Sequence, residues 1–208
     1  LHQAANGQVT FYRQSVEGGY AAPGAMALTD VNQQGVSVKT TVAEKLDLRA
    51  KVDKKSQELS LETSALELNA DYRLSEHWKL STGVRKDSRT DRSPLVPATQ
   101  VQGDRTDVVL RAGYDSRDMW AAYGYVQDTA STSGNRESNG RIGVGGAYRF
   151  SDRVRITGEL SGGDLGMGAR LGSEYLMSDK TATYLNYVLE NERTDNGVLA
   201  KNGSPIAR

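Results

Sequence analysis

From Leu66 onward the chain alternates. Leu66, Leu68, Ala70, Tyr72 and Leu74 stand on even positions, with Glu67, Asn69, Asp71 and Arg73 between them. After a break, Trp78, Leu80, Thr82 and Val84 interleave with Lys79, Ser81, Gly83 and Arg85. The pattern returns in Val108, Leu110, Ala112 and Tyr114, and again in Ile142, Val144, Gly146, Tyr148 and Phe150. Successive side chains of a strand point to opposite faces, so each stretch is predicted to be a β-strand with one apolar and one polar face. Helical periodicity is weak throughout, although residues 41–48 could pass for a short helix on propensity alone.

The breaks are regular too. Short polar triplets occur at Ala43-Glu44-Lys45, Ser75-Glu76-His77, Asp115-Ser116-Arg117, Ser151-Asp152-Arg153 and Ser178-Asp179-Lys180. They recur roughly every 30 to 40 residues, the length of two strands and a longer connection. If each triplet is a three-residue loop, Tyr72 faces Leu80, Leu68 faces Val84, Tyr148 faces Ile156, Val144 faces Leu160, Val38 faces Ala50 and Ala112 faces Trp120. Apolar residues then meet apolar residues on one face, whereas a one-residue slip sets them against charges. Such loops normally want Gly or Asn in a left-handed position, and Lys, Arg or His stands there instead. The connections at the other end, near 21–34, 54–60, 86–103, 129–139 and 162–166, are unequal and mostly polar, and all four prolines lie in them or in the C-terminal tail. With a weaker strand near 9–17, the reading is an all-β, antiparallel up-and-down meander of about 11–12 strands, one domain over residues 1–208.

Composition limits the chemistry. The 208 residues hold no cysteine, which excludes a disulfide scaffold, thiol catalysis and cysteine-ligated metals. No run of about 20 apolar residues is present to form a transmembrane helix. Lys and Arg total 26 and Asp and Glu total 26, a balance that argues against a general nucleic-acid binder. Split by alternate positions, however, that neutral average becomes two unlike faces. The apolar face carries no Lys, Arg or Glu in its paired regions, and its one Asp is Asp118 beside a turn. The polar face mixes long charged residues with Gly83, Gly113, Gly143, Gly145, Ala147, Gly168 and Gly172. Glycine weakens an exposed strand, but in a crowded interior small residues make room for neighbouring Arg side chains. Tyr72, Trp78, Tyr114, Trp120, Tyr148, Phe150, Tyr175 and Tyr184 all lie near short turns. A soluble core centres its aromatics; a membrane barrel sets them in a girdle at the interface. The apolar face is therefore read as facing lipid, with Tyr72, Trp78, Tyr114, Trp120, Tyr148, Phe150 and Tyr175 as candidate girdle residues.

Three hairpin units, Tyr72-Arg-Leu-Ser-Glu-His-Trp-Lys-Leu80, Tyr148-Arg-Phe-Ser-Asp-Arg-Val-Arg-Ile156 and Tyr175-Leu-Met-Ser-Asp-Lys-Thr-Ala-Thr-Tyr184, resemble the periplasmic turns of Gram-negative outer-membrane β-barrels of the porin-like up-and-down class. The resemblance is architectural and covers nearly the whole chain. It implies a transmembrane barrel or part of one in the bacterial outer membrane, short turns in the periplasm and long loops outside. Two departures stand against a complete barrel: no signal peptide precedes Leu1, and Ser204-Pro-Ile-Ala-Arg208 lacks a terminal aromatic strand. Asn6-Gly7 reads as a further short turn, as expected of an internal part of a larger barrel completed by other segments or subunits.

Catalytic groups are scarce. The histidines are His2 and His77, the latter read as a solvated turn residue. A Ser-His-Asp triad or a His-based metal site needs a constellation that is not there. The glycine cluster from Gly162 to Gly172 lacks the dinucleotide spacing and the P-loop Lys-Ser/Thr, and reads as a tight loop followed by small interior positions. Glu67, Asp71, Glu159 and Glu174 are expected to neutralise basic neighbours, Glu67 opposite Arg85. No enzyme, cofactor or metal is expected. The functional clue is interior charge: Lys39, Arg49, Lys51, Arg73, Lys79, Arg85, Arg111, Arg149, Arg155 and Arg170 on the polar face, against Asp47, Asp53, Glu67, Asp71, Glu159 and Glu174. Arg rings in a pore favour anions. The first expectation is a pore with a basic lumen for anionic solutes or polymers, with membrane lipid as its surroundings. A non-conducting anchor or translocator barrel of a larger surface protein is the alternative, and a soluble all-β binding module the second.

Overall fold

The computed structural model describes residues 7–18, 21–22, 25–26, 30–57, 61–91, 102–178 and 181–189. Its elements are β1 (Gly7–Val16), β2 (Ala21–Ala22), β3 (Ala25–Met26), β4 (Val31–Ala43), β5 (Leu46–Gln57), β6 (Leu61–Arg73), β7 (Trp78–Asp91), β8 (Gly103–Asp115), β9 (Trp120–Thr132), β10 (Arg141–Ser151), β11 (Val154–Gly163), β12 (Gly166–Ser178) and β13 (Thr181–Leu189), with no helix among the described residues. Eleven strands form one sheet in the order β1-β4-β5-β6-β7-β8-β9-β10-β11-β12-β13, and β2 and β3 form a separate ribbon. Chain neighbours are sheet neighbours, which is the up-and-down meander. The chain divides into two compact units, the first Leu1–Ala70, Val84–Thr106 and Ala130–Glu137, the second Asp71–Gly83, Asp107–Thr129 and Ser138–Arg208. His2, the four prolines and the C-terminal segment fall outside the described residues.

In the first unit β4 pairs with β5, and Val38 faces Ala50 as the alternation requires. In the second, Tyr148 faces Ile156 and Val144 faces Leu160. The bonds between Ser81 and Asp71, and between Arg85 and Glu67, agree with the register expected for β6 and β7. The expected three-residue loops take another form. Ala43 pairs with Leu46, and Ser151 with Val154, each just after a bulge in β4 or β10. A two-residue turn plus one bulged residue preserves the parity of a three-residue loop without a left-handed residue. Among the described non-glycine residues only Arg117 has a left-handed backbone, φ 62°.

That residue marks a correction. The turn between β8 and β9 spans four residues, 116–119, and the Ser116 N–H donates to the Trp120 carbonyl. With the Thr129 hydroxyl bonded to Asp107, this register sets Ala112 against Gly124 rather than Trp120, still on the same face. Residues 41–48 are likewise no helix but the end of β4, its turn and the start of β5, because cross-strand pairing overrides local propensity. Strands also run further into the long connections than expected: β4 begins at Val31, β7 continues to Asp91 and β9 to Thr132. Beyond Val84 both faces of β7 are polar, yet burial still alternates, with Lys86 exposed and Asp87 buried. Once the outer face ceases to be apolar, a strand loses its signature in sequence but keeps its pairing.

Burial is inverted relative to a water-soluble domain. Among the described residues the buried apolar side chains are Ala65, Val109, Tyr123 and Tyr125, while Arg105, Asp87, Asp107 and Asn139 are the largest fully buried ones. The apolar face is open: Val144 is 61% exposed, Leu160 62% and Leu171 58%. Burying one such side chain is worth about 1.5–3 kcal/mol, so a row of them left in water forfeits much of what folds a domain.

Candidate functional site

The polar face is an ionic and hydrogen-bonded layer. In the first unit, Arg85 on β7 pairs with Glu67 on β6, both side chains almost wholly buried, as expected of this pair. Arg136, from the connection after β9, clamps Asp87 with two bonds, Nη1 to Oδ2 at 2.8 Å and Nη2 to Oδ1 at 3.3 Å. Arg89 adds a third contact to Asp87 at 3.4 Å. Lys51 lies 3.6 Å from Asp53 and over the ring of Tyr12, and Gln33 donates to Asp53 at 3.1 Å. Tyr12 occupies the space above Gly35, where a Cβ would lie 2.5 Å from its hydroxyl oxygen. Lys39 is exposed and faces the half-buried Arg49 across the strands.

In the second unit, Tyr123 and Tyr125 extend over Gly145 and Gly143; a Cβ at either glycine would come within 2.5 Å of the ring. Both hydroxyls donate to Glu159, and the Arg111 guanidinium stacks 3.8 Å above the Tyr123 ring. Glu159 faces Arg170 across β11 and β12. Gly143 and Gly145 thus accommodate tyrosine rings, Gly172 lies against Thr157, and Arg fills such a space at Gly168, beside Arg141, rather than throughout as the sequence suggested. Lys79 reaches Asp71 at 3.7 Å, and Arg149 stands opposite Arg155, which faces Glu174 on its other side. At the short-turn end lies a cavity of about 220 Å³ lined by Lys79, Arg111, Arg149 and Arg155, with Gly113, Ala121 and Ala147 among its other walls.

Of the basic residues singled out in sequence, Arg85 and Arg111 are buried; Arg49, Lys51, Lys79, Arg155 and Arg170 are half-buried; Lys39, Arg73 and Arg149 are exposed. Arg105, Arg136 and Arg141 are buried as well and were missed. Arg141 shares its parity with Gly143, and Arg105 with Asp107 and Arg111, so extending the alternation by one or two residues finds both. Arg136 sits in an irregular polar stretch and carries no signal. The seven candidate girdle aromatics are exposed, except the half-buried Tyr114. Tyr114 contacts Trp78, Trp120 and His77 at ring distances of 5.2, 5.0 and 5.6 Å. His77 is thus a packed turn residue as well as an exposed one, with its Nδ1–H donating to the Asp115 carbonyl at 2.7 Å.

No protein-family pattern and no curated protein matches this chain. Solved structures do. A crystal structure of the Pseudomonas putida toluene transporter TodX aligns with a TM-score of 0.51 at 11% identity, over 86% of this chain and 72% of that one. A second TodX structure aligns with a TM-score of 0.51 at 10% identity, over 88% and 70%. A KdgM porin aligns with a TM-score of 0.43 at 13% identity, over 87% and 91%. At such identity the TodX likeness is one of fold: this chain has the antiparallel strand architecture of that transporter.

Proposed function

We propose that the chain forms a transport pore, or part of one, in the outer membrane of a Gram-negative bacterium, and that its polar face lines a basic path for anionic solutes. The observation that carries this reading is the inversion of burial: Arg105, Asp87 and Asp107 are fully buried while Val144, Leu160 and Leu171 face outward. A solvent that welcomes such a face is hydrocarbon. The sheet strands are 9 to 14 residues long, and a transmembrane strand needs about 9–11. The exposed aromatics near the short turns suit an interfacial girdle. The fold shared with a toluene transporter supports transport. The basic residues of the polar face support anions.

Planar-bilayer reversal potentials under a potassium chloride gradient test this function. Anion selectivity is expected; cation selectivity overturns the basic path, and absence of conductance overturns the pore.

A further inference from the structure

We propose that the cavity at the short-turn end of the second unit binds a small oxyanion of the phosphate class. This rests on the reading of a basic polar face and adds a discrete site to it. The cavity holds about 220 Å³, room for a hydrated anion of phosphate size.

Three features indicate a built site. First, four cationic side chains, Lys79, Arg111, Arg149 and Arg155, line one small space, and the alanines and glycine between them keep it open. Second, Arg149 and Arg155 are directly opposed across β10 and β11. Like charges so placed repel, and an anion between them reverses the sign of the interaction. Third, Arg111 is only 8% exposed, and its Nη2 has no hydrogen-bond partner among the described residues. Buried donors almost always have an acceptor, and an oxyanion is the acceptor a guanidinium fits best. The stacking of Arg111 on Tyr123 fixes the plane of the guanidinium before any ligand arrives.

The neighbouring carboxylates offset part of this charge, Glu159 and Asp71 acting on Arg111, and Glu174 and Asp115 on Arg155. Asp115 lines the cavity but accepts the Arg117 N–H at 2.7 Å, capping its own turn. Asp118 is exposed on the same turn, Asp71 engages Lys79, and Glu174 faces Arg155 from the next strand. The unpartnered Nη2 of Arg111 and the exposed Arg149, opposed by Arg155, supply the attraction that remains.

The test is calorimetric titration of the detergent-solubilised chain with inorganic phosphate. Saturable binding is expected, weakened at least tenfold by Arg149→Gln with Arg155→Gln. Neither residue is fully buried, and unchanged circular dichroism checks the fold. Lys86→Gln, at an exposed position outside the cavity, should leave the affinity unchanged. Phosphate binding that is absent, non-saturable or indifferent to the double substitution overturns the site. Reversal potentials on the same preparations test the pore separately. Anion selectivity without phosphate binding refutes the site and leaves the pore standing, whereas substitution-sensitive binding without conductance keeps the site and refutes the pore.

Discussion

Replacing Glu67 by Ala leaves the Arg85 guanidinium in a layer where the two side chains are 3% and 4% exposed. Breaking a buried ion pair from one side costs roughly 3–5 kcal/mol, because the remaining buried charge loses its carboxylate partner. A surface pair supplies the comparison. Lys54 and Glu62 approach to 2.5 Å, but their side chains are 52% and 36% exposed. Glu62→Ala should therefore cost about 0–1 kcal/mol. Replacing both buried partners, Glu67→Leu with Arg85→Met, should recover most of the loss, since well-packed apolar pairs substitute for buried ion pairs at little cost. The assay is urea unfolding of the chain folded in detergent micelles, followed by the fluorescence of Trp78 and Trp120. The shift in midpoint at constant slope gives the free-energy difference. If Glu67→Ala costs no more than Glu62→Ala, water reaches the pair freely and the polar face is not the desolvated layer described above.

Two further outcomes follow from the same geometry. Gly145→Ala places a Cβ 2.5 Å from the Tyr123 ring and should destabilise by about 1–3 kcal/mol, the usual range for overpacking; its cost should shrink in a Tyr123→Ala background, as a double-mutant cycle would reveal. The Gly140 N–H and the Ser138 hydroxyl donate to Asp164 in the turn between β11 and β12, holding its carboxyl below the usual carboxylate range. The stability this lends is fully present above that range and is lost as pH falls through the depressed value. In NMR spectra the Gly140 amide shift should therefore titrate below the usual carboxylate range, and should stop doing so in Asp164→Asn.

The parts of the fold legible in sequence are those where one face meets an apolar environment. β6, β8 and β10 carry Leu, Val and Ile on alternate positions, so their faces and the β10–β11 register follow from spacing. The far end of β7 escapes that logic, because Lys86, Ser88 and Thr90 leave no apolar face to count. The β8–β9 register escapes it for another reason. The four-residue turn holds Arg117 in a left-handed conformation that no glycine announces. Site residues divide the same way. Arg85 opposite Glu67 is readable from parity alone. The Tyr123–Glu159 bond joins residues two strands apart, and the Arg136–Asp87 clamp joins a connection to a strand, so neither follows from local pattern.

On the proposed reading the apolar face meets lipid and the polar face does not. The chain has no cysteine, so single cysteines can be placed at will and spin-labelled in reconstituted vesicles. Labels at Leu110, Ile142 and Val144 should collide readily with lipid-dissolved oxygen, while labels at Ala147 and Thr157 should be shielded from it. Outward-position labels shielded from oxygen, as in the packed core of a water-soluble domain, would contradict the account.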